Sequence, residues 1–171
     1  MGTVWESEGR KNLTFSVLRR FDALNVKHQF VLNIAVSLAV HDVLKELLVP
    51  DVTIKWPNDI MSGSKKICGI LIENVLKGER VGQSIIGIGL NVNQTDFTNL
   101  DKASSLQRIT GRNFDLEELL HSLLEHLWLQ LESIEAKTVT QLLPTYEKLL
   151  FRKDKPSTFT NAHGEMFMGF I

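Results

Sequence analysis

The fold is decided by residues 66–92, which read Lys66-Ile67-Cys68-Gly69-Ile70-Leu71-Ile72-Glu73-Asn74-Val75, then Leu76-Lys77-Gly78-Glu79-Arg80-Val81-Gly82, then Gln83-Ser84-Ile85-Ile86-Gly87-Ile88-Gly89-Leu90-Asn91-Val92. Two apolar, β-branched runs, 66–75 and 83–92, are broken only around Lys77-Gly78-Glu79. A break this short joins antiparallel neighbours, because a parallel pair needs a crossover of a dozen or more residues. A third strand-like run, 52–56, lies upstream beyond Ser62-Gly63-Ser64. Together the three predict an antiparallel meander.

The flanks complete an α+β pattern. Residues 12–21 alternate as a strand. Residues 28–48 are apolar around most of the circumference and carry no Gly or Pro, which predicts a helix buried on a wide face, stopped by Pro50. The polar stretch 93–113 reads as a long loop, and loops of that length are usually functional or mobile. Asp115 is the expected N-cap of the next helix, with Glu118 completing a capping box and a leucine stripe from Leu116 through Leu131 forming core or interface. A further helix over about 138–150 contains Pro144, as a kink or in its first turn. Residues 155–171 resemble a hairpin turning at Asn161-Ala162-His163-Gly164.

Composition excludes several classes. The chain has 171 residues, 43% hydrophobic and 23% charged, which is globular composition for one domain or a domain plus a fragment. A net charge of -1 lacks the basic excess needed for general nucleic-acid or anionic-membrane binding. No run reaches the length of a membrane span, and the start lacks a signal-peptide layout. Cys68 is the single cysteine, so no disulfide can form within the chain, and a reducing, cytoplasmic compartment is expected.

Chemistry concentrates in two places. Lys55-Trp56-Pro57-Asn58-Asp59 is followed shortly by Lys66 and Gly69, and cations held beside a packed sheet can neutralise a carboxylate or phosphate. A lysine flanking a strand is ordinarily a solvated strand end; here Lys55, Asn58 and Asp59 keep it company. The run Ser84 to Asn93 ends in Gly87, Gly89, Asn91 and Asn93, where glycine admits a ligand close to the backbone and asparagine offers a donor and an acceptor. A strand ending in a turn explains the same residues equally well. The third glycine of a dinucleotide fingerprint is missing. The five histidines, 28, 41, 121, 126 and 163, show no metal-ligand spacing and read as structural or surface. Cys68 reads as core, not as a nucleophile.

Four ordered segments carry a resemblance: Lys-Trp-Pro-Asn-Asp (55–59), Lys-Ile-Cys-Gly-Ile-Leu-Ile-Glu (66–73), Ile-Gly-Ile-Gly-Leu-Asn-Val-Asn (86–93) and Ala-Ser-Ser-Leu (103–106). With them the chain resembles the catalytic domain of biotin–protein ligases, from about Trp5 to its end. The resemblance implies an α+β fold of the class II synthetase-like, biotin/lipoate ligase type, a mostly antiparallel sheet with helices on one side. Residues 1–150 would be catalytic domain, and 151–171 would begin an SH3-like C-terminal domain as a partial hairpin. It implies an ATP-dependent ligase that makes biotinyl-adenylate and passes biotin to a lysine of a biotin carboxyl carrier domain, with Mg²⁺ as cofactor.

The residue roles implied by the resemblance are specific. Lys66 would be catalytic, contacting the biotin carboxylate and the adenylate phosphate, although the adjacent Lys65 would exchange with it on a one-residue misalignment. Gly69 and Gly87 would line the biotin pocket. Trp5, Asn12 and Leu13 would lie beside the nucleotide, and Asn91 would face the adenine. Lys55, Asn58 and Asp59 would surround the ATP phosphates, with Asp59 nearest the Mg²⁺. The 93–106 loop would cover the adenylate and keep water from it. Family members carry a Gly-Arg-Gly-Arg-x-Gly loop just before the tryptophan matching Trp5. Gly2 would be its last glycine, so the loop's arginines are absent from this chain. The expectation is a ligase core with weak adenylation. Two alternatives stand: a lipoate ligase-like enzyme, or a non-catalytic interaction module whose open strand edges favour a homodimer.

Overall fold

The computed structural model describes residues 8–98, 100–134 and 139–171. Its centre is a five-stranded antiparallel sheet, ordered β1-β5-β4-β3-β2, of β1 (Leu13–Arg20), β2 (Val52–Lys55), β3 (Asp59–Ser62), β4 (Lys65–Lys77) and β5 (Arg80–Leu90). Strands β2 to β5 form the expected meander. Ser62 pairs with Lys65 around Gly63-Ser64, and Lys77 pairs with Arg80 around Gly78-Glu79. Gly63 and Gly78 take positive φ (56° and 62°), which tight hairpins need and which glycine adopts without penalty.

Strand β3 is an addition to the sequence reading, which left 57–65 between strands. Its four residues pair with β2 on one side and β4 on the other. The turn Trp56-Pro57-Asn58 therefore joins two strands, and the Lys55-to-Asp59 motif is a hairpin tip.

Helix α1 (Phe30–Glu46) lies across one face of the sheet, and α3 (Leu116–Ser133) and α4 (Val139–Lys148) pack against it. With neighbours on several sides, α1 buries twelve residues from Val31 to Leu44, which explains its apolar circumference. It ends before Pro50 is reached: Leu48 takes φ 60°, and the Arg112 guanidinium donates to the Leu47 carbonyl. On α3, Leu119, Leu123, Leu127 and Leu131 are buried, whereas Leu124 faces solvent. Asp115 caps α3 as expected, accepting from the amides of Glu117 and Glu118. Pro144 lies in the interior of α4, between the buried Leu142 and Tyr146.

The 93–113 loop contains a short helix, α2 (Leu106–Thr110), that the sequence reading did not separate. Ser105 caps it by accepting from the Arg108 amide, and Gly111 ends it at φ 72°. The hairpin of β6 (Ser157–Thr160) and β7 (Met166–Gly169) forms as expected. The chain reaches it along the outer edge of β2, where the Ile54 amide donates to Leu149 and the Phe151 amide to Ile54. No described helix is long and apolar enough to cross a membrane.

Candidate functional site

Strand register sorts the residues by face. Ile54, Ile60, Cys68, Leu90 and Leu13 align across the sheet and are all buried toward the helices. The next row on the opposite, open face aligns Lys55, Asp59, Gly69, Gly89 and Thr14. Beside it run Leu71, Gly87 and Ser16. The open face thus has a glycine floor, with a cation and a carboxylate at one end and hydroxyls at the other.

Lys66 reaches this face through an irregularity. Ile60 pairs with Cys68, but Met61 pairs with Lys66, so Ile67 is an extra residue in β4. A bulge of this kind inverts the alternation on its far side. Ile67 and Cys68 are both fully buried, and Lys66 turns to the open face, where its Nζ lies 2.6 Å from Asp59 Oδ1. Lys65 points elsewhere, donating to the Asp101 carbonyl. The adjacent lysines are distinguished by geometry: the ammonium beside the glycine floor belongs to Lys66.

Asn58 and Asn91 work inside the protein. The Asn58 amide nitrogen donates to the Ile70 carbonyl while the Ile70 amide donates to the Asn58 carbonyl, fixing the hairpin tip on β4. Asn91 is buried and its amide nitrogen donates to the Ser104 carbonyl at 3.0 Å. Asn12 accepts from the Val92 amide and donates to Gln94, so it clips the entry of β1 to the exit of β5. Leu13 has its side chain in the core. Trp5 and Gly2 lie outside the described residues.

Segment 100–106 is bound to the site by its backbone. The Lys66 amide donates to the Lys102 carbonyl and the Ser104 amide returns to the Lys66 carbonyl, a short parallel bridge alongside β4. Between this segment and α2 opens a cleft of about 270 Å³ lined by Lys65, Phe97, Leu100, Ala103, Ser104 and Arg108. Phe97 and Arg108 were not singled out from sequence; the signal for Arg108 was the Ser105 cap that starts its helix. The Arg108 guanidinium stands 5.7 Å from the Phe97 ring centre, giving the cleft a flat cationic wall.

Cys68 is excluded as a nucleophile. Burial pushes its thiol up to about 12, with the Lys66 ammonium opposing that rise too weakly to cancel it. Among the described residues no group of three or more His, Cys, Asp or Glu gathers to hold a metal. Asp59 is the carboxylate in the row. A single carboxylate suits a Mg²⁺ ion that shares its shell with nucleotide phosphates and waters, and does not make a protein cage.

Comparison with known proteins gives a consistent result. Residues 1–91 match the Biotin/lipoate A/B protein ligase family. The bifunctional ligase/repressor BirA of Bacillus subtilis is 34% identical over 128 residues, covering 72% of this chain and 39% of that protein. BirA of Escherichia coli is 27% identical over 150 residues, 86% of this chain and 46% of that protein. The chain therefore spans less than half the length of these two relatives. The apo biotin protein ligase from Aquifex aeolicus superposes with a TM-score of 0.76 at 25% identity, over 94% of this chain and 69% of that one. The same enzyme in complex with biotin and ATP gives a TM-score of 0.75 at 27% identity, over 94% and 66%.

Proposed function

Because the chain belongs to the biotin/lipoate A/B protein ligase family, we propose that its open sheet face binds biotin and that its site activates biotin with ATP for transfer to a carrier domain. The observation that carries the reading is the bulge-directed ammonium of Lys66 over a glycine floor. Gly69 and Gly87, half-buried in adjacent rows, would let a flat, uncharged ring system lie against backbone, with its attached carboxylate toward Lys66. The likeness to a solved ligase holding biotin and ATP supports the choice of ligands.

In the first step a biotin carboxylate oxygen attacks the α-phosphorus of ATP. A new P–O bond forms, the bond to the β-phosphate oxygen breaks, and pyrophosphate leaves. Lys66 brings together two anions that repel each other and offsets the charge that grows on the phosphoryl oxygens. Its ion pair with Asp59 holds the ammonium ready without a ligand. Lys55 adds a second cation at the hairpin tip. Asp59 is the carboxylate that would hold a Mg²⁺ ion, which would supply charge neutralisation for the nucleotide phosphates. In the second step the amine of a carrier lysine attacks the acyl carbon and AMP leaves. The cleft of Phe97 and Arg108 supplies an aromatic and cationic wall for the nucleotide end, and segment 100–106 limits access of water. In this reading residues 1–150 form the catalytic unit, and the β6–β7 hairpin begins a small C-terminal domain.

Biotin-dependent exchange of labelled pyrophosphate into ATP tests the proposal. Exchange that requires biotin and disappears in Lys66→Gln supports it. Exchange driven equally by lipoate points to the neighbouring branch of the family, and binding of neither biotin nor lipoate removes the reading.

A further inference from the structure

The bulge that aims Lys66 needs something to hold it, since an extra residue leaves its own main-chain groups outside the ladder. The structure supplies one residue on both sides of it. The Asn91 main-chain amide donates 2.9 Å to the carbonyl of Ile67, the extra residue itself. The Asn91 side chain donates to the Ser104 carbonyl, and the Ser104 amide donates 3.0 Å to the Lys66 carbonyl. The Asn91 carbonyl accepts from the Leu106 amide, fixing the far end of the same segment at 3.1 Å. Asn91 and Ser104 are 4% and 6% exposed, so water is a poor substitute for these partners.

We infer that Asn91 is a positioning residue for the Lys66 ammonium, acting through Ile67 and Ser104 to lock the bulge. The consequence for chemistry rests on the reading of Lys66 as the biotin-activating group; the structural lock does not. Without the side-chain amide, segment 102–104 loses its direct side-chain tie to the end of β5, and its bridge to Lys66 opens more often. The ammonium then samples positions away from Asp59 and the glycine floor. The role stands beside the contact with the adenine that the sequence resemblance implied for this residue. A side chain already donating to Ser104 has a task that does not depend on the base.

The test uses the whole chain and the variants Asn91→Asp and Asn91→Ala. Amide hydrogen exchange at Lys66 and Ser104 should quicken at least about tenfold while Ile86 and Ile88 in the sheet core stay protected. The Lys66 side-chain NMR signal should shift toward that of a solvated lysine. Biotin, which carries no base, should bind each variant more weakly than the unaltered chain. Unchanged exchange at Lys66 and Ser104, or unchanged affinity for biotin, overturns the inference. Should the variants fail to fold, the unaltered chain still decides: Lys66 and Ser104 should open together at one rate, and independent rates contradict the lock. Should biotin not bind the unaltered chain, the functional reading fails while the exchange and NMR results still judge the lock.

Discussion

The two faces of the central sheet are built from the same five strands and serve opposite ends. The helix-side row of Ile54, Ile60, Cys68, Leu90 and Leu13 is buried and hydrocarbon-rich. One residue along each strand, the row Lys55, Asp59, Gly69, Gly89 and Thr14 carries charge, hydroxyl and bare backbone. Alternation with a period of two lets one stretch of sequence specify both at once. Substitutions on one face should therefore change stability and leave chemistry per folded molecule alone, and those on the other should do the reverse.

The largest effect expected is on the open face. Lys66→Gln should reduce biotin-dependent pyrophosphate exchange by roughly 10²–10³-fold, the usual consequence of removing a group that stabilises developing charge, with little change in thermal midpoint. Lys65→Gln should cost much less than Lys66→Gln, because Lys65 turns away from the row and lines only the nucleotide cleft; equal losses would erase the distinction made by the bulge. On the buried face, Ile88→Ala should lower unfolding free energy in urea by about 3 kcal/mol through lost burial and a residual cavity. Ligand affinity of the remaining folded protein should be unchanged.

Gly87→Ala separates the faces at one atom. An added Cβ would meet the Leu71 carbonyl oxygen at 3.5 Å and Ser16 Oγ at 3.7 Å, ordinary contacts that the fold accepts. Stability should hold or rise by about 0.5–1 kcal/mol, while biotin affinity should fall about tenfold or more by calorimetry. A destabilised Gly87→Ala that binds biotin normally would make Gly87 a packing residue.

The smallest effect lies away from both faces. Burial disfavours the charged His126 ring, but its Nδ1 faces the Ser122 carbonyl at 2.9 Å and its Nε2 faces Glu46 at 3.2 Å. These partners, with Asp42 nearby, outweigh burial and raise its pKa. A raised pKa in the folded state stabilises below the unfolded value of about 6.5 and loses that contribution as pH rises through the folded value. Glu46→Gln should cost about 0.5 kcal/mol near pH 5.5 and almost nothing near pH 8.5, measured by urea unfolding at both.

The meander was legible in the sequence because its strands are long, β-branched and divided by glycine turns. Strand β3 was not, since four residues starting at Asp59 look like the end of a polar motif. Helix α2 was missed although Ser105 and Gly111 bracket it, because five residues show no helical period. The lysine cluster could be read, but not which lysine serves it. That depends on Ile67 being an extra residue, for which the only local hint is two adjacent buried side chains, Ile67 and Cys68. The asparagines were read as ligand groups; their bonds to Ile70, Ser104 and Val92 come from chain segments brought together by folding.

The central claim is that Lys66, turned by the bulge, serves a biotin site on the open face. Titrating the purified chain with a non-hydrolysable biotinyl-adenylate analogue by calorimetry tests it most directly. The account predicts saturable one-to-one binding that free biotin displaces, that Lys66→Gln weakens by at least about a hundredfold, and that Lys65→Gln weakens far less. No binding by the unaltered chain, or equal binding by Lys66→Gln, would contradict it.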